Sequence, residues 1–164
     1  MQKRIILVFL TLILWKTGIL GHELKSQSPL VIAQRGTSGH LPEHTLAART
    51  PAHGLGAYFI EQDVILTKVN HPVVLHDLTL DATTNVNNLF PRRNHKNGLF
   101  YAIYFTFAEL KKLSVRERGN RSATESKYPR RFSGKSALFK IVTLQVEIEL
   151  IQGMNKSTGR IVGL

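Results

Sequence analysis

Three short polar clusters carry most of the chemistry this chain could perform: Gln34-Arg35, Glu61-x-Asp63 and His76-Asp77. Each belongs to an apolar run: Leu30–Ala33 (LVIA) leads into the first, Tyr58–Leu66 (YFIEQDVIL) contains the second, and Val73–Leu75 (VVL) leads into the third. Side chains two apart on a strand share a face, so Glu61 and Asp63 point together. Two such carboxylates and an imidazole can hold a hard divalent cation and move a proton. An arginine beside them offers a planar fork of donors that matches phosphate oxygens. Taken singly, a Glu-x-Asp pair reads as a solvated strand face and a histidine as a surface or structural residue; only elements that bring the clusters together make them a site.

Those elements can be read from periodicity and punctuation. Leu30–Ala33 has the length of a buried strand. A helix is expected from Pro42 and Glu43, which suit a first turn, until Pro51 kinks or ends it, with Gly54 and Gly56 as further terminators. Tyr58–Leu66 reads as one strand, Asn70-His71-Pro72 as a turn, and Val73–Leu75 as a third short strand. Residues 78–105 have weak periodicity and read as an irregular insertion. Thr106-x-x-Glu109 is a capping box. Thr143 can cap a helix toward Gln152, stopped by Gly153, and Arg160–Leu164 (RIVGL) reads as the start of another strand. Strand–helix alternation of this kind favours an α/β fold with parallel strands.

Composition narrows the classes. The chain has 164 residues, no cysteine, and a formal charge of +11. Without cysteine there is no disulfide, thiolate metal site, cysteine nucleophile or lipidated thiol. The positive balance suits anionic ligands. Nine of the 22 Lys and Arg fall in residues 111–135, a stretch whose sparse aromatics favour a solvated surface over a nucleic-acid face. The N-terminus reads as a secretory signal over residues 1–21: Lys3 and Arg4, then Ile5–Trp15 (IILVFLTLILW), then small residues ending at Gly21. Eleven helical residues reach about 16 Å, roughly half a bilayer core, so no stable membrane span is expected after cleavage; the alternative is an uncleaved anchor in which the apolar stretch continues past Lys16 to Leu20. Residues 22–28 read as a linker. The expected location is the periplasm or the outside of the cell, where a nucleic-acid partner is not expected.

The strings VIAQRGTSGHLPEHTLAA, YFIEQDVILTK and PVVLHDLTLDATTNV, in this order and spacing, resemble the glycerophosphodiester phosphodiesterase family, particularly its bacterial periplasmic branch. The similarity continues through NLFPRRNHKNGLFYAIYFTFAELKKL and EIELIQGMNKSTGRIVG, covering about residues 29–164, taken as one partial domain. The resemblance implies a (β/α)8 barrel with its active site at the C-terminal ends of the strands. It implies hydrolysis of glycerophosphodiesters to sn-glycerol 3-phosphate and an alcohol, with a divalent cation, Ca²⁺ or Mg²⁺. Carried over residue by residue, Arg35 is the substrate-phosphate ligand, Glu61 and Asp63 are metal ligands, and His76 is the second catalytic histidine. Glu43, in the Pro-Glu-His stretch, supports the metal or phosphate site. One histidine of the family removes a proton from the attacking hydroxyl and the other protonates the leaving alkoxide.

The chain departs from this pattern in three ways. Gln34 stands where the family's first catalytic histidine stands, and an amide cannot titrate near neutral pH. The family's third acidic ligand, in a Glu-Ile-Lys string on the third strand, has no match, and Glu147 and Glu149 belong to the preceding helix. A barrel needs about 250 residues, so the sequence reads as the N-terminal portion of one, truncated in the third β/α unit. These departures imply an impaired enzyme that binds its cation weakly. The alternative is a non-catalytic phosphate- or metal-binding remnant. Open sheet edges add an expectation of aggregation or self-association.

Overall fold

The computed structural model describes residues 29–120, 125–131 and 139–164. The expected signal peptide and linker, and Arg121 and Lys135 of the basic stretch, lie outside the described residues. Strand β1 (Ile32–Ala33) is followed by helix α1 (Leu46–Gly54) and strand β2 (Phe59–Ile60). Next come an antiparallel hairpin of β3 (Val64–Leu66) and β4 (Pro72–Val74), short helix α2 (Val86–Leu89), a 3₁₀ turn (Ala102–Tyr104), and helix α3 (Phe107–Leu110). Long helix α4 (Leu144–Thr158) leads to the final segment.

Strand β2 lies in the middle of the parallel layer. It pairs with β1 in the register Ile32 to Phe59 and Ala33 to Ile60. On its other side it meets the last segment in parallel: the Ile60 N–H donates to the Gly163 carbonyl at 3.0 Å, and the Gly163 N–H donates to the Tyr58 carbonyl at 2.9 Å. Arg160–Leu164 thus opens the third parallel position, as the strand expected there should. Helices α1 and α4 are the crossovers between these three positions, and α/β units of this kind are the repeat of a (β/α)8 barrel. Ala52, Ala57, Ile60, Ile151 and Val162 form the core between helices and sheet. A second, larger core belongs to the segment read as irregular. There Leu80, Val86, Phe100, Ala102 and Phe105 pack with Val73, Leu75, Leu110, Leu113, Val115 and Ile141. Its elements are too short for periodicity to reveal, yet its apolar residues converge from positions between 73 and 141.

Five local expectations are corrected. The Leu30–Ala33 run is not a buried strand: only Ile32–Ala33 pairs, and Leu30 and Ile32 are 59% and 56% exposed because β2 is the only strand beside them among the described residues. Tyr58–Leu66 is two strands, not one. The chain leaves the parallel layer at Glu61–Asp63 and pairs afresh with β4, in the register Val64 to Val74. Helix α1 does not begin at Pro42. His44 has φ +57°, outside the right-handed region, and Thr45 caps the helix by accepting from the Ala48 N–H. Nor does Pro51 end it; the helix runs on to Gly54, held by buried Ala48, Arg49, Ala52 and His53. Helix α4 likewise passes through Gly153, and its stop is Gly159, left-handed at φ +69°. That reversal is where the chain must turn back to the sheet. Asn155 fixes it by bonding both the N–H and the carbonyl of Val162, while its side-chain oxygen also meets His53 Nε2 at 3.0 Å. The caps at Thr106–Glu109 and Thr143 stand as expected.

Candidate phosphate-binding site

The site forms where β1, β2 and β4 end. After Ala33 the chain turns through two consecutive left-handed residues, Arg35 (φ +57°) and Gly36 (φ +83°). Gly36 is required twice over: by its φ, and because a Cβ there would lie 2.7 Å from the Ala48 carbonyl oxygen. The turn aims the Arg35 backbone N–H at Glu61 Oε2, 2.9 Å away. It also brings the Arg35 side chain to both oxygens of Glu43 at 3.2 Å and to Asp63 at 3.9 Å. Arg35 and His44, both non-glycine and both left-handed, belong to this one loop pair. Their backbones are joined by the His44 N–H donating to the Arg35 carbonyl at 3.2 Å. Backbone strain concentrated this way is characteristic of binding sites.

Arg118 completes the arrangement. Its Nε donates to Glu43 Oε2 at 3.1 Å and its Nη1 to Asp77 Oδ2 at 2.6 Å. Asp77 in turn holds His76 Nδ1 through Oδ1 at 2.5 Å. Burial alone would raise the carboxyls of Glu43 and Asp77. Arg118, with Arg35 beside Glu43 and His76 beside Asp77, outweighs it and holds both below their ordinary values. Both are therefore anions at neutral pH that fix the cations around them. His44 is the opposite case. Burial and the neighbouring Arg49 push it down to about 4, against the pull of its bond to Asp63, so it is a neutral imidazole.

These groups border a cleft of about 270 Å³ lined by Gln34, Arg35, Ser38, Glu43, His76, Arg118, Lys127, Tyr128 and Arg131. Four cations converge on it. Arg131 is anchored to the Ser38 carbonyl at 2.8 Å and lies over the Tyr128 ring at 3.8 Å; Lys127 stands 5.5 Å from the same ring. The sequence residues Gln34, Arg35, Glu43 and His76 thus line one cleft. Glu61 and Asp63 sit just behind it, against Arg35. The 111–135 stretch is corrected in part: Lys111 and Lys112 are exposed as expected, but Arg118, Lys127 and Arg131 face the cleft. Arg118 was not legible because its partner Glu43 is 75 residues away, and no local pattern joins them. Arg49 and His44 were missed for the same reason.

A divalent cation would find Glu61 and Asp63 here. Glu43 is turned toward the two arginines, and among the described residues no three His, Cys, Asp or Glu form a metal site. Glu61 already accepts from Arg35 and Asp63 contacts His44. Two carboxylates so engaged leave most of a hard cation's six to eight oxygen positions to water. The described residues do not fit a closed cation site.

The family model described as the glycerophosphoryl diester phosphodiesterase family matches residues 35–163. The chain is 42% identical to a glycerophosphodiester phosphodiesterase of Haemophilus influenzae over 87% of its length, and 37% identical to that of Treponema pallidum over 82%. It spans about two-fifths of each, 39% and 38%. Among solved structures it is similar to an Oleispira antarctica phosphodiesterase in complex with the product sn-glycerol-3-phosphate, with 31% identity and a TM-score of 0.52. That match covers 76% of this chain and 40% of the other. The parallel β/α layer, the cleft at its strand ends and these matches together establish that the chain belongs to the glycerophosphoryl diester phosphodiesterase family.

Proposed function

We propose that the cleft binds the phosphate of a glycerophosphodiester and that this chain carries the family's hydrolysis, to sn-glycerol 3-phosphate and an alcohol, in impaired form. The observation that carries the reading is the convergence of Arg35, Arg118, Lys127 and Arg131 on one cleft beside the His76–Asp77 pair. Arginine forks match phosphate oxygens, and charge-assisted hydrogen bonds are the strong ones. The Oleispira relative's bound product, a glycerol phosphate, supports a ligand of that kind. Asp77 orients His76 through Nδ1 and leaves Nε2 for proton transfer. The reaction needs two transfers, one from the attacking hydroxyl and one to the leaving alkoxide. His76 can serve one of them; Gln34, exposed on the cleft wall, can hydrogen-bond but cannot serve the other.

The same reading gives a divalent cation, Ca²⁺ or Mg²⁺, a loose hold at Glu61 and Asp63, and it places the chain in the periplasm or outside the cell. No helix among the described residues is long and apolar enough to cross a membrane. Titration of sn-glycerol 3-phosphate into the full chain is expected to show binding that Arg118→Ala weakens about tenfold or more, the worth of one charge-assisted contact. Glycerophosphocholine hydrolysis is expected not to rise above a His76→Ala control. Unchanged affinity in Arg118→Ala would overturn the phosphate site, and hydrolysis abolished by His76→Ala would overturn the impairment.

A further inference from the structure

Arg49 takes no part in the chemistry above, yet it is wholly buried on the second turn of α1, beneath the site. Its three donor groups go three ways. Nε donates to Glu147 Oε1 on α4 at 3.1 Å, Nη1 donates to the backbone carbonyl of Glu61, and Nη2 lies 2.8 Å from His44 Nδ1. A guanidinium has donors and no acceptor. His44 Nδ1 must therefore accept, and it carries no proton. The single proton of the neutral ring then sits on Nε2, which is 3.0 Å from Asp63 Oδ2. His44 is the donor in that bond and Asp63 the acceptor. The other tautomer would set lone pair against carboxylate at Asp63, and N–H against N–H at the buried Arg49 contact, where water cannot relieve it.

We propose that Arg49 is a positioning residue: its donor-only guanidinium locks His44 as the Nε2–H tautomer, so that His44 holds Asp63, and its second arm holds the chain at Glu61. Two of the three carboxylates around Arg35, those of Glu61 and Asp63, thereby depend on one buried point, while Glu43 is held by Arg118. Glu147 supplies the counter-charge from the helix that precedes the third parallel segment. The lock thus ties the site to the packing of α4 against α1. Its functional half rests on the phosphate-site reading above; its tautomeric half does not.

Replacing both members of a buried ion pair by apolar groups of similar volume is commonly neutral or stabilising, whereas removing one strands the other. The full chain carrying Arg49→Met and Glu147→Met together should therefore fold while losing the lock. Long-range ¹H–¹⁵N correlation spectra of histidine-labelled protein read the tautomer directly. Wild type is expected to show His44 protonated at Nε2 alone, and the double variant a measurable fraction protonated at Nδ1, because only the Asp63 bond then opposes it. Its sn-glycerol 3-phosphate affinity is expected to be about tenfold weaker, because Asp63 and the chain at Glu61 are no longer fixed beside Arg35. Protonation of wild-type His44 at Nδ1, or an unchanged tautomer in the double variant, would overturn the proposal; a merely structural Arg49 would shift the melting temperature and leave the tautomer alone. If wild type binds no sn-glycerol 3-phosphate, the phosphate-site reading fails, while the tautomer comparison still decides the lock.

Discussion

Glu43 is the residue on which the cleft turns. One carboxylate accepts from Arg35, 8 residues before it, and from Arg118, 75 residues after it, and so keeps two cations facing one space. Because its folded-state pKa lies below the ordinary 4.5, the ionised form is favoured by folding. The stability this gives is fully present above pH 4.5 and is lost as pH falls through the lowered value. Thermal midpoints measured from neutral pH down to about pH 3 should fall more steeply in wild type than in Glu43→Gln; parallel curves would show that the clamp contributes nothing. Gln34 makes the complementary case for catalysis. A missing general acid–base group typically costs ~10²–10⁴ in rate. Gln34→His should therefore raise glycerophosphocholine turnover by that order, and His76→Ala should abolish the gain. A Gln34→His chain no faster than wild type would place the defect elsewhere. The residue types of the site were readable because each short cluster lies within or at the end of an apolar run. The pairings were not, since Glu43–Arg118, His44–Asp63 and Arg49–Glu147 are closed only by the fold.

Among elements, the caps at Thr106 and Thr143 were readable, and the Thr45 cap and the breakers were not. Thr106 and Thr143 bond N–H groups three residues on, a local event that sequence spacing encodes. Pro51, Gly153 and the left-handed His44 each act against or alongside tertiary packing, and packing decides. Helix α1 survives Pro51 because Arg49, Ala52 and His53 on its inner face are buried against α4 and the sheet, with His53 bonded to Asn155. That survival has a cost. An interior proline removes one helix hydrogen bond and crowds the preceding turn, worth ~3 kcal/mol, of which up to ~1 kcal/mol is offset by the proline's stiffening of the unfolded chain. Pro51→Ala should stabilise the chain by about 2 kcal/mol, read as a higher denaturant midpoint at unchanged slope. A lower midpoint would mean that α1 needs its proline geometry to seat Arg49. The strands were over-read for a related reason. An apolar run such as Leu30–Ala33 signals burial on two faces in a parallel sheet, but it cannot say whether a neighbour stands on each side.

At the scale of the whole chain, the parallel layer holds three positions, and β2 alone is paired on both sides among the described residues. The cost shows on the flanks. Leu30, Val31 and Ile32 are more than half exposed along β1, and Ile161 is 89% exposed on the last segment. Unpaired backbone beside apolar side chains is a template for strand addition by a second copy, and apolar patches of this kind drive association. The charge of +11 opposes it, because like-charged copies repel. The two effects differ in range and in salt response. Repulsion between exposed charges is screened within about 10 Å at 0.1 M salt, whereas edge pairing and apolar burial are not weakened. Association of the full chain should therefore strengthen as salt rises, the reverse of an ion-paired interface. Sedimentation velocity at micromolar concentrations should show a shift to larger species between low salt and a few tenths molar. Ile32→Lys should suppress that shift, since a lysine on an edge strand blocks pairing by a second copy. A wild-type chain that sediments as a monomer at every salt, or an Ile32→Lys chain that associates as wild type does, would show that this flank is closed by something other than a second copy.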